Sequence, residues 1–354
     1  MAINKLKAFL KNDNEAILIS SAVNRRYFTS FPSSDGYLIV TKSKAVFFTD
    51  SRYIEAAQKS ISLCETALLT RLSVEVKGFL TDNNIEKLYT EAQNLSVAAL
   101  SQLRKILSPV RVAPSQRLEA LIGKLRAQKT DYEIECIKKA QSIAEDAFNH
   151  ILTFIKPGVT EKQIALELDF YMLSHGAEAI SFETIAVTGA KTSMPHGVPD
   201  NTVVRDGDFI TMDFGAVYNG YHSDMTRTVG VGNVTHEQRA VYDIVLKAQT
   251  AALGVLKKGF SCAEADKAAR DIITEAGYGE YFGHGTGHGV GVEIHEEPSL
   301  SPRSNQILKP GNVVTVEPGI YLPEKFGVRI EDMALITHSG YENLTSVPKE
   351  LIIL

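Results

Sequence analysis

Two runs of this chain place a carboxylate at the end of an apolar strand pattern. Gly207-Asp208-Phe209-Ile210-Thr211-Met212-Asp213-Phe214-Gly215 and Gly311-Asn312-Val313-Val314-Thr315-Val316-Glu317-Pro318-Gly319 share a turn glycine, a β-branched and apolar run, and then one acid. Counterparts lie 104 residues apart (311 − 207, 317 − 213). Residues two apart on a strand share a face, so Thr211 points with Asp213 and Thr315 with Glu317. A carboxylate closing an apolar strand is costly to bury alone and needs a pairing cation or a metal. Its appearance at equivalent places in two copies suggests two half-sites converging on one centre.

Each half offers a second acid. Asp224, in His222-Ser223-Asp224-Met225-Thr226-Arg227-Thr228, follows Asp213 by eleven residues across a glycine-bearing turn, as on paired strands. Glu331, in Gly327-Val328-Arg329-Ile330-Glu331-Asp332, follows Glu317 by fourteen. Seen singly, Asp224 or Glu331 reads as a surface charge. Four clustered carboxylates, however, cannot all stay ionised without cations. With one imidazole added they form a hard, oxygen-rich donor set suited to a pair of Mn²⁺, Co²⁺ or Zn²⁺ ions. Such a pair can hold and activate a water for attack on an amide.

The imidazole is sought in Gly283-His284-Gly285-Thr286-Gly287-His288-Gly289-Val290-Gly291-Val292-Glu293-Ile294-His295-Glu296-Glu297-Pro298. Five glycines in nine residues do not serve strand stability. They allow backbone to approach something closely. His284 and His288 share a strand face, whereas His295 lies opposite unless the glycines break the strand.

The elements that position these residues also repeat. Thr160…Gln163 and Ser261…Glu264 each read as a capping box, 101 residues apart (261 − 160, 264 − 163). Each precedes an amphipathic helical stripe and a terminating glycine, Gly176 or Gly277. A long helix is expected from Asp131 to about Ile155, ended by Pro157-Gly158. Before it, residues up to about 125 read as a small α/β domain. The Met1–Lys11 stretch starts an amphipathic helix. Ala16–Ile19 is a buried strand, Tyr37–Val40 and Ala45–Thr49 form a hairpin, Asp50–Tyr53 leads into a helix, and Glu86–Tyr89 starts a strand. The fold class is α/β (α+β), with a domain boundary in the basic stretch Leu121–Lys129.

At 354 residues, two domains are expected. The composition, 44% apolar and 22% charged, is that of a globular protein. A net charge of −5 argues against a nucleic-acid groove or a membrane patch. Cys64, Cys136 and Cys262 are scattered and lack metal spacing, which fits small buried thiols in a reducing compartment. No apolar run reaches the roughly 18 residues of a membrane span. The expected location is cytoplasmic.

His284 to His295 resembles, position for position, the signature of the proline-peptidase group of "pita-bread" metallopeptidases. That group holds aminopeptidase P and prolidase, with methionine aminopeptidase and creatinase as cousins. The resemblance extends to Met194-Pro195-His196-Gly197, to the Asp213 and Asp224 strands, to Val316–Tyr321 and to Val328–Asp332. Tyr27…Asp50-Ser51-Arg52-Tyr53 resembles the creatinase/prolidase-type N-terminal domain. It implies such a domain over residues 1–126 and a duplicated pita-bread catalytic domain over 127–354.

Carried over, the resemblance implies Asp213, Asp224, His288, Glu317 and Glu331 as ligands of two divalent ions, with Mn²⁺ first. Asp224 and Glu331 would bridge the pair, and Glu317 would also act as general base. His196 and His295 would hold the substrate carbonyl and stabilise the oxyanion. His284, Tyr321 and Arg329 would bind substrate, His284 by lining the proline pocket. A competing reading of Arg329 is a strand-surface arginine paired with Asp332. The implied reaction is hydrolysis of Xaa-Pro bonds, and the implied assembly is a homodimer.

Within that class, the reading placed first is an Xaa-Pro aminopeptidase. His284–His288 and Ser299-Leu300-Ser301-Pro302 look more like short bacterial aminopeptidase P proteins. The alternative is an Xaa-Pro dipeptidase (prolidase), closed around the substrate's carboxylate. A methionine aminopeptidase would not normally carry the N-terminal domain, and a creatinase-type enzyme would lack the ligand set. A non-catalytic pita-bread binding module would lose ligands and gain basic tails, and this chain shows neither change.

Overall fold

The computed structural model describes residues 2–354. The chain divides into two compact units, one ending at Leu125 and one running Arg126–Leu354. Each is described by itself.

The first unit is built on a six-stranded sheet. Its strand order is Glu65–Leu68, Ala45–Thr49, Tyr37–Thr41, Glu15–Ile19, Lys87–Thr90 and Arg111–Pro114. Period-two alternation divides the central strand between two cores. Ile17 and Ile19 enter one with Leu38 and Phe47; Ala16 and Leu18 enter the other with Ile39 and Phe48. Helices cover both faces, so the strand is apolar on both sides, as its sequence indicates. The expected hairpin forms, with Tyr37 opposite Phe48 and Val40 opposite Ala45. The first helix spans Ala2–Phe9; Met1, where the expected helix begins, lies outside the described residues.

The second unit shows the duplication as two helix-pair-on-sheet halves. In the first half, helices Asp131–Phe154 and Glu161–Ser174 cover a sheet in the order Met225–Gly230, Phe209–Phe214, Ile185–Thr188. In the second, helices His236–Val255 and Cys262–Glu275 cover a five-stranded sheet centred on Val313–Val316. Thr160 and Gln163 close the expected capping box. Ser261 caps its helix by accepting from the Glu264 N–H, but the reciprocal Glu264 bond is not made, so the second box is half formed. Two further complete boxes, Thr130–Glu133 and Thr235–Gln238, start the other two helices. Gly176 and Gly277 take the left-handed conformation expected of terminating glycines, with φ of 103° and 88°.

The strand expected over His222–Thr228 is split. Tyr221–His222 joins a small side sheet, and Met225–Gly230 pairs with Phe209–Phe214. The second half repeats this device: Gly319–Leu322 and Phe326–Arg329 form a separate hairpin between Val313–Val316 and Asp332–Ile336.

The glycine-rich run explains itself against the chain's own backbone. Gly287–Gly289 is threaded between Glu296–Leu300 and Val313–Val316. A Cβ on Gly287 would lie 2.0 Å from the Thr315 carbonyl oxygen, and one on Gly289 would lie 2.4 Å from that of Glu297. Cys136 and Cys262 are buried as expected, whereas Cys64 is half-buried. Among the described residues no helix is long and apolar enough to cross a membrane.

Gly287→Ala is therefore expected to destabilise the fold by about 3 kcal/mol. Gly283→Ala, where an added Cβ meets nothing within 4 Å, should be near neutral. Urea unfolding of the two variants checks the contrast; equal stabilities would refute it.

Candidate metal centre

Asp213 sits inside the Phe209–Phe214 strand, opposite Ile185 on one side and Thr226 on the other. Asp224 immediately precedes Met225–Gly230, Glu317 immediately follows Val313–Val316, and Glu331 immediately precedes Asp332–Ile336. Val316 pairs with Asp332, so Glu317 and Glu331 leave the end of one strand pair together. The two halves meet along a seam. The Glu331 N–H donates to the Thr226 carbonyl (3.1 Å), and the Thr226 hydroxyl donates to Glu331 Oε2 (2.7 Å). Behind the seam, buried Arg227 donates to the carbonyls of Thr226, Glu331, Val347 and Pro348 and to Asp332 Oδ1. This excludes the Arg329–Asp332 pairing: Asp332 is taken by Arg227, Gln249, Asn343 and Lys349.

His288 is the histidine brought to the acids. One donor atom each from Asp224, His288 and Glu331 lie within 4.8 Å of one another. His288 Nε2 is 3.5 Å from Asp224 Oδ2 and 3.5 Å from Glu317 Oε1. The Nδ1–H donates to the Gly289 carbonyl at 3.1 Å, which leaves Nε2 as a bare lone pair facing two carboxylates. Burial lowers the His288 pKa to about 4, so the ring is neutral at pH 7. The backbone N–H of His288 donates to Thr315 Oγ1, which in turn donates to Glu317 Oε1. In the first half the matching Thr211 hydroxyl bonds Thr228 instead.

Asp213 is held differently. Its Oδ2 accepts from Arg329 Nη2 at 2.5 Å, while Oδ1 is buried without a partner. Arg329 is itself buried and fully engaged: Nε donates to Thr226 Oγ1, and Nη1 to the Tyr321 hydroxyl and the Pro195 carbonyl. The Tyr321 hydroxyl bonds His284 Nε2 at 2.8 Å, and His284 Nδ1–H donates to the Gly285 carbonyl. Burial lowers the His284 pKa to about 4.

A cavity of about 520 Å³ opens over these groups, lined by His196, His284, His288, His295, Arg329 and the four acids among others. Tyr321 is not on its wall; the structure puts it behind His284 and Arg329, in contact with both. The glycine run does break the strand. Glu296–Leu300 folds back beside Gly287–Gly289, and this brings the His295 ring to 4.4 Å from the His288 ring. His196 lies on the loop after the short helical turn Gly189–Ser193, next to the Pro195 carbonyl that Arg329 holds.

Several supporting residues are invisible in the motifs. Asp266 and Arg270 form an i,i+4 pair on helix Cys262–Glu275, a spacing that reads as ordinary surface pairing. Asp266 instead accepts from Thr286 N–H and Oγ1, and Arg270 donates to the Phe282 and His284 carbonyls, so the pair fixes the histidine-bearing loop. Buried Lys129 and half-buried Arg126 both donate to Glu296, the residue after His295.

The donor set fits divalent cations. Burial, then mutual repulsion, raises the pKa values of Asp224 and Glu331 well above the carboxylate range. Burial lifts that of Glu317 to about 8. Arg329 is the one guanidinium on the wall, and it cannot balance four acids. A bare imidazole nitrogen, an unpartnered Asp213 oxygen and three crowded carboxylates are what a pair of cations would satisfy.

Comparison with known proteins places this geometry. Residues 135–338 match the model of metallopeptidase family M24, and residues 3–128 match that of the creatinase/prolidase N-terminal domain. The chain is 36% identical over 355 residues to the Xaa-Pro dipeptidase of Pyrococcus furiosus, covering 99% of each. It resembles the solved structure of a Xaa-Pro dipeptidase from Bacillus anthracis with a TM-score of 0.95 and 43% identity, covering 100% of this chain and 99% of that one. It also resembles the X-Pro aminopeptidase from Thermotoga maritima, with a TM-score of 0.91 and 34% identity over 96% and 97% of the two chains. With its catalytic-unit match, its N-terminal match and these full-length relatives, this chain belongs to metallopeptidase family M24.

Proposed function

We propose that the protein is a dinuclear-metal Xaa-Pro dipeptidase, a prolidase. The observation that carries the metal-dependent part is the approach of Asp224, His288 and Glu331 around a bare imidazole nitrogen. The sequence reading puts the aminopeptidase first. The dipeptidase is preferred here because the relatives from Pyrococcus furiosus and Bacillus anthracis carry that name. Cleavage of the same bond in longer peptides is the second reading, supported by the likeness to the Thermotoga maritima aminopeptidase.

In this proposal Asp213, Asp224, His288, Glu317 and Glu331 hold two divalent ions, with Mn²⁺ the first choice. Bound there, the ions supply Lewis acidity and make water a nucleophile near neutral pH. Glu317, oriented by the Thr315 hydroxyl, would be the carboxylate placed to accept a proton from the attacking water. His196 and His295 face the cavity and donate to the carbonyl oxygen as negative charge develops. His284, neutral and braced by Tyr321, presents a ring edge to the proline side. Arg329 holds Asp213 in place. Proline offers no amide N–H, and a site that polarises the carbonyl does not need one. A cytoplasmic homodimer belongs to the same proposal and rests on the resemblance.

The test is hydrolysis of Ala-Pro, Ala-Pro-Ala and Ala-Ala-Ala by Mn²⁺-loaded protein. Cleavage of Ala-Pro alone is expected. Cleavage of Ala-Pro-Ala would favour the aminopeptidase, and inertness to both proline peptides would refute the proline reading. Glu317→Ala and His288→Ala should each abolish turnover, a loss of at least about 10³-fold, and lower the bound metal. His196→Ala should lower kcat about 10²-fold with metal content unchanged, because it removes a donor and no ligand. Normal turnover in Glu317→Ala would refute the site.

A further inference from the structure

The cavity wall carries one acid that the metal centre does not use. Glu183 lines the cavity, is exposed, and makes no hydrogen bond or ion pair among the described residues. The other four acids on the wall are accounted for. Asp213 is held by Arg329, and Asp224, Glu317 and Glu331 gather around His288. Glu183 is not among the acids gathered around His288, and it has no ion pair among the described residues.

The segment that carries it is held on both sides. On one side, the Ser181 N–H donates to the Gly215 carbonyl at 2.8 Å, and Ser181 Oγ bonds His222 Nδ1 at 2.9 Å. On the other, the Thr184 hydroxyl donates to Asp169 Oδ1 at 2.5 Å, and Ile185 pairs with Asp213 in the sheet. The chain is held at Ser181, Thr184 and Ile185, and between them it carries a carboxylate with no ion-pair partner among the described residues. Pre-placed, uncompensated charge on a binding wall selects ligands of opposite sign and rejects those of like sign.

We propose that Glu183 sets the preference for the residue before proline, favouring Xaa-Pro substrates whose first residue is basic. The proposal rests on the Xaa-Pro reading above and deepens it. The chemistry of the substrate narrows the choice. The proline side chain is uncharged, so the cations an Xaa-Pro peptide can offer are its α-amine and a lysine or arginine at Xaa. The α-amine is common to every substrate and discriminates between none. A basic Xaa side chain gains a partner at Glu183, and an acidic one meets repulsion. Phe182, Ile185 and Val198 line the same cavity and offer the aliphatic stem of lysine or arginine apolar surface to lie against.

The experiment measures kcat/KM of Mn²⁺-loaded wild type, Glu183→Gln and Glu183→Lys on Arg-Pro, Leu-Pro and Glu-Pro, and on the same three sequences extended by alanine. Glu183 is exposed and unpartnered, so both variants should fold. The expected result is a fall of about three- to five-fold in the Arg-Pro to Leu-Pro ratio in Glu183→Gln, carried by KM. In Glu183→Lys, Glu-Pro should become a better substrate than Arg-Pro. Unchanged ratios would overturn the proposal. So would an equal loss on all three substrates, which would assign Glu183 to the common α-amine or to the fold. If only the extended peptides are cut, the dipeptidase reading fails while the Glu183 ratios are still read from them. If wild type cuts none of the six, the Xaa-Pro reading is refuted and this inference with it.

Discussion

The structure turns on crowding four carboxylates into one largely buried place. Asp213, Asp224, Glu317 and Glu331 face one cavity, and Arg329 is the one guanidinium among them. Burial raises three of the four pKa values, and the acids raise one another's further. An arrangement of this kind lowers the stability of an otherwise well-packed fold unless something of opposite charge binds. The proposed pair of divalent ions answers that constraint, and the bare Nε2 of His288 points the same way.

Holding such groups together against their repulsion requires a rigid frame, and the duplication supplies it. Each half ends its strands at the cavity, and the halves lock along the Thr226–Glu331 seam. Arg227 directs its guanidinium to both sides of that seam and to Asp332, so the backbones on either side of the cavity are tied by one buried side chain. In the second half the glycine run lets Gly287–Gly289 press between two strands, which places His288 against the acids and folds His295 back over it. Tyr321 and the Asp266–Arg270 pair then hold His284.

Much of this was legible in the sequence, for physical reasons that also set the limit. The carboxylates stood out because an acid at the end of an apolar strand is unusual, and the repeat showed because helix caps and strand ends have fixed local spacing. The distance between halves was not legible, since the Thr226–Glu331 bond joins residues 105 positions apart (331 − 226) with no local signal. The proximity of Arg329 to Asp332 in sequence suggested a pair. They lie an odd number of residues apart and end on strands of different sheets. The glycines make room, and the room is for the chain's own backbone. Glu264 failed to complete its box although its spacing was right, because the pattern fixes which atoms can meet and not whether the side chain turns back.

The most direct measurement of the central claim is the number of divalent ions the metal-free protein binds at equilibrium near pH 7, with protons counted as they bind. The account predicts two Mn²⁺ per chain. It also predicts proton release, because Glu317 has a pKa of about 8, those of Asp224 and Glu331 are raised as well, and ligation requires the ionised form. One ion per chain or fewer, or full binding that survives Asp224→Asn unchanged, would contradict it.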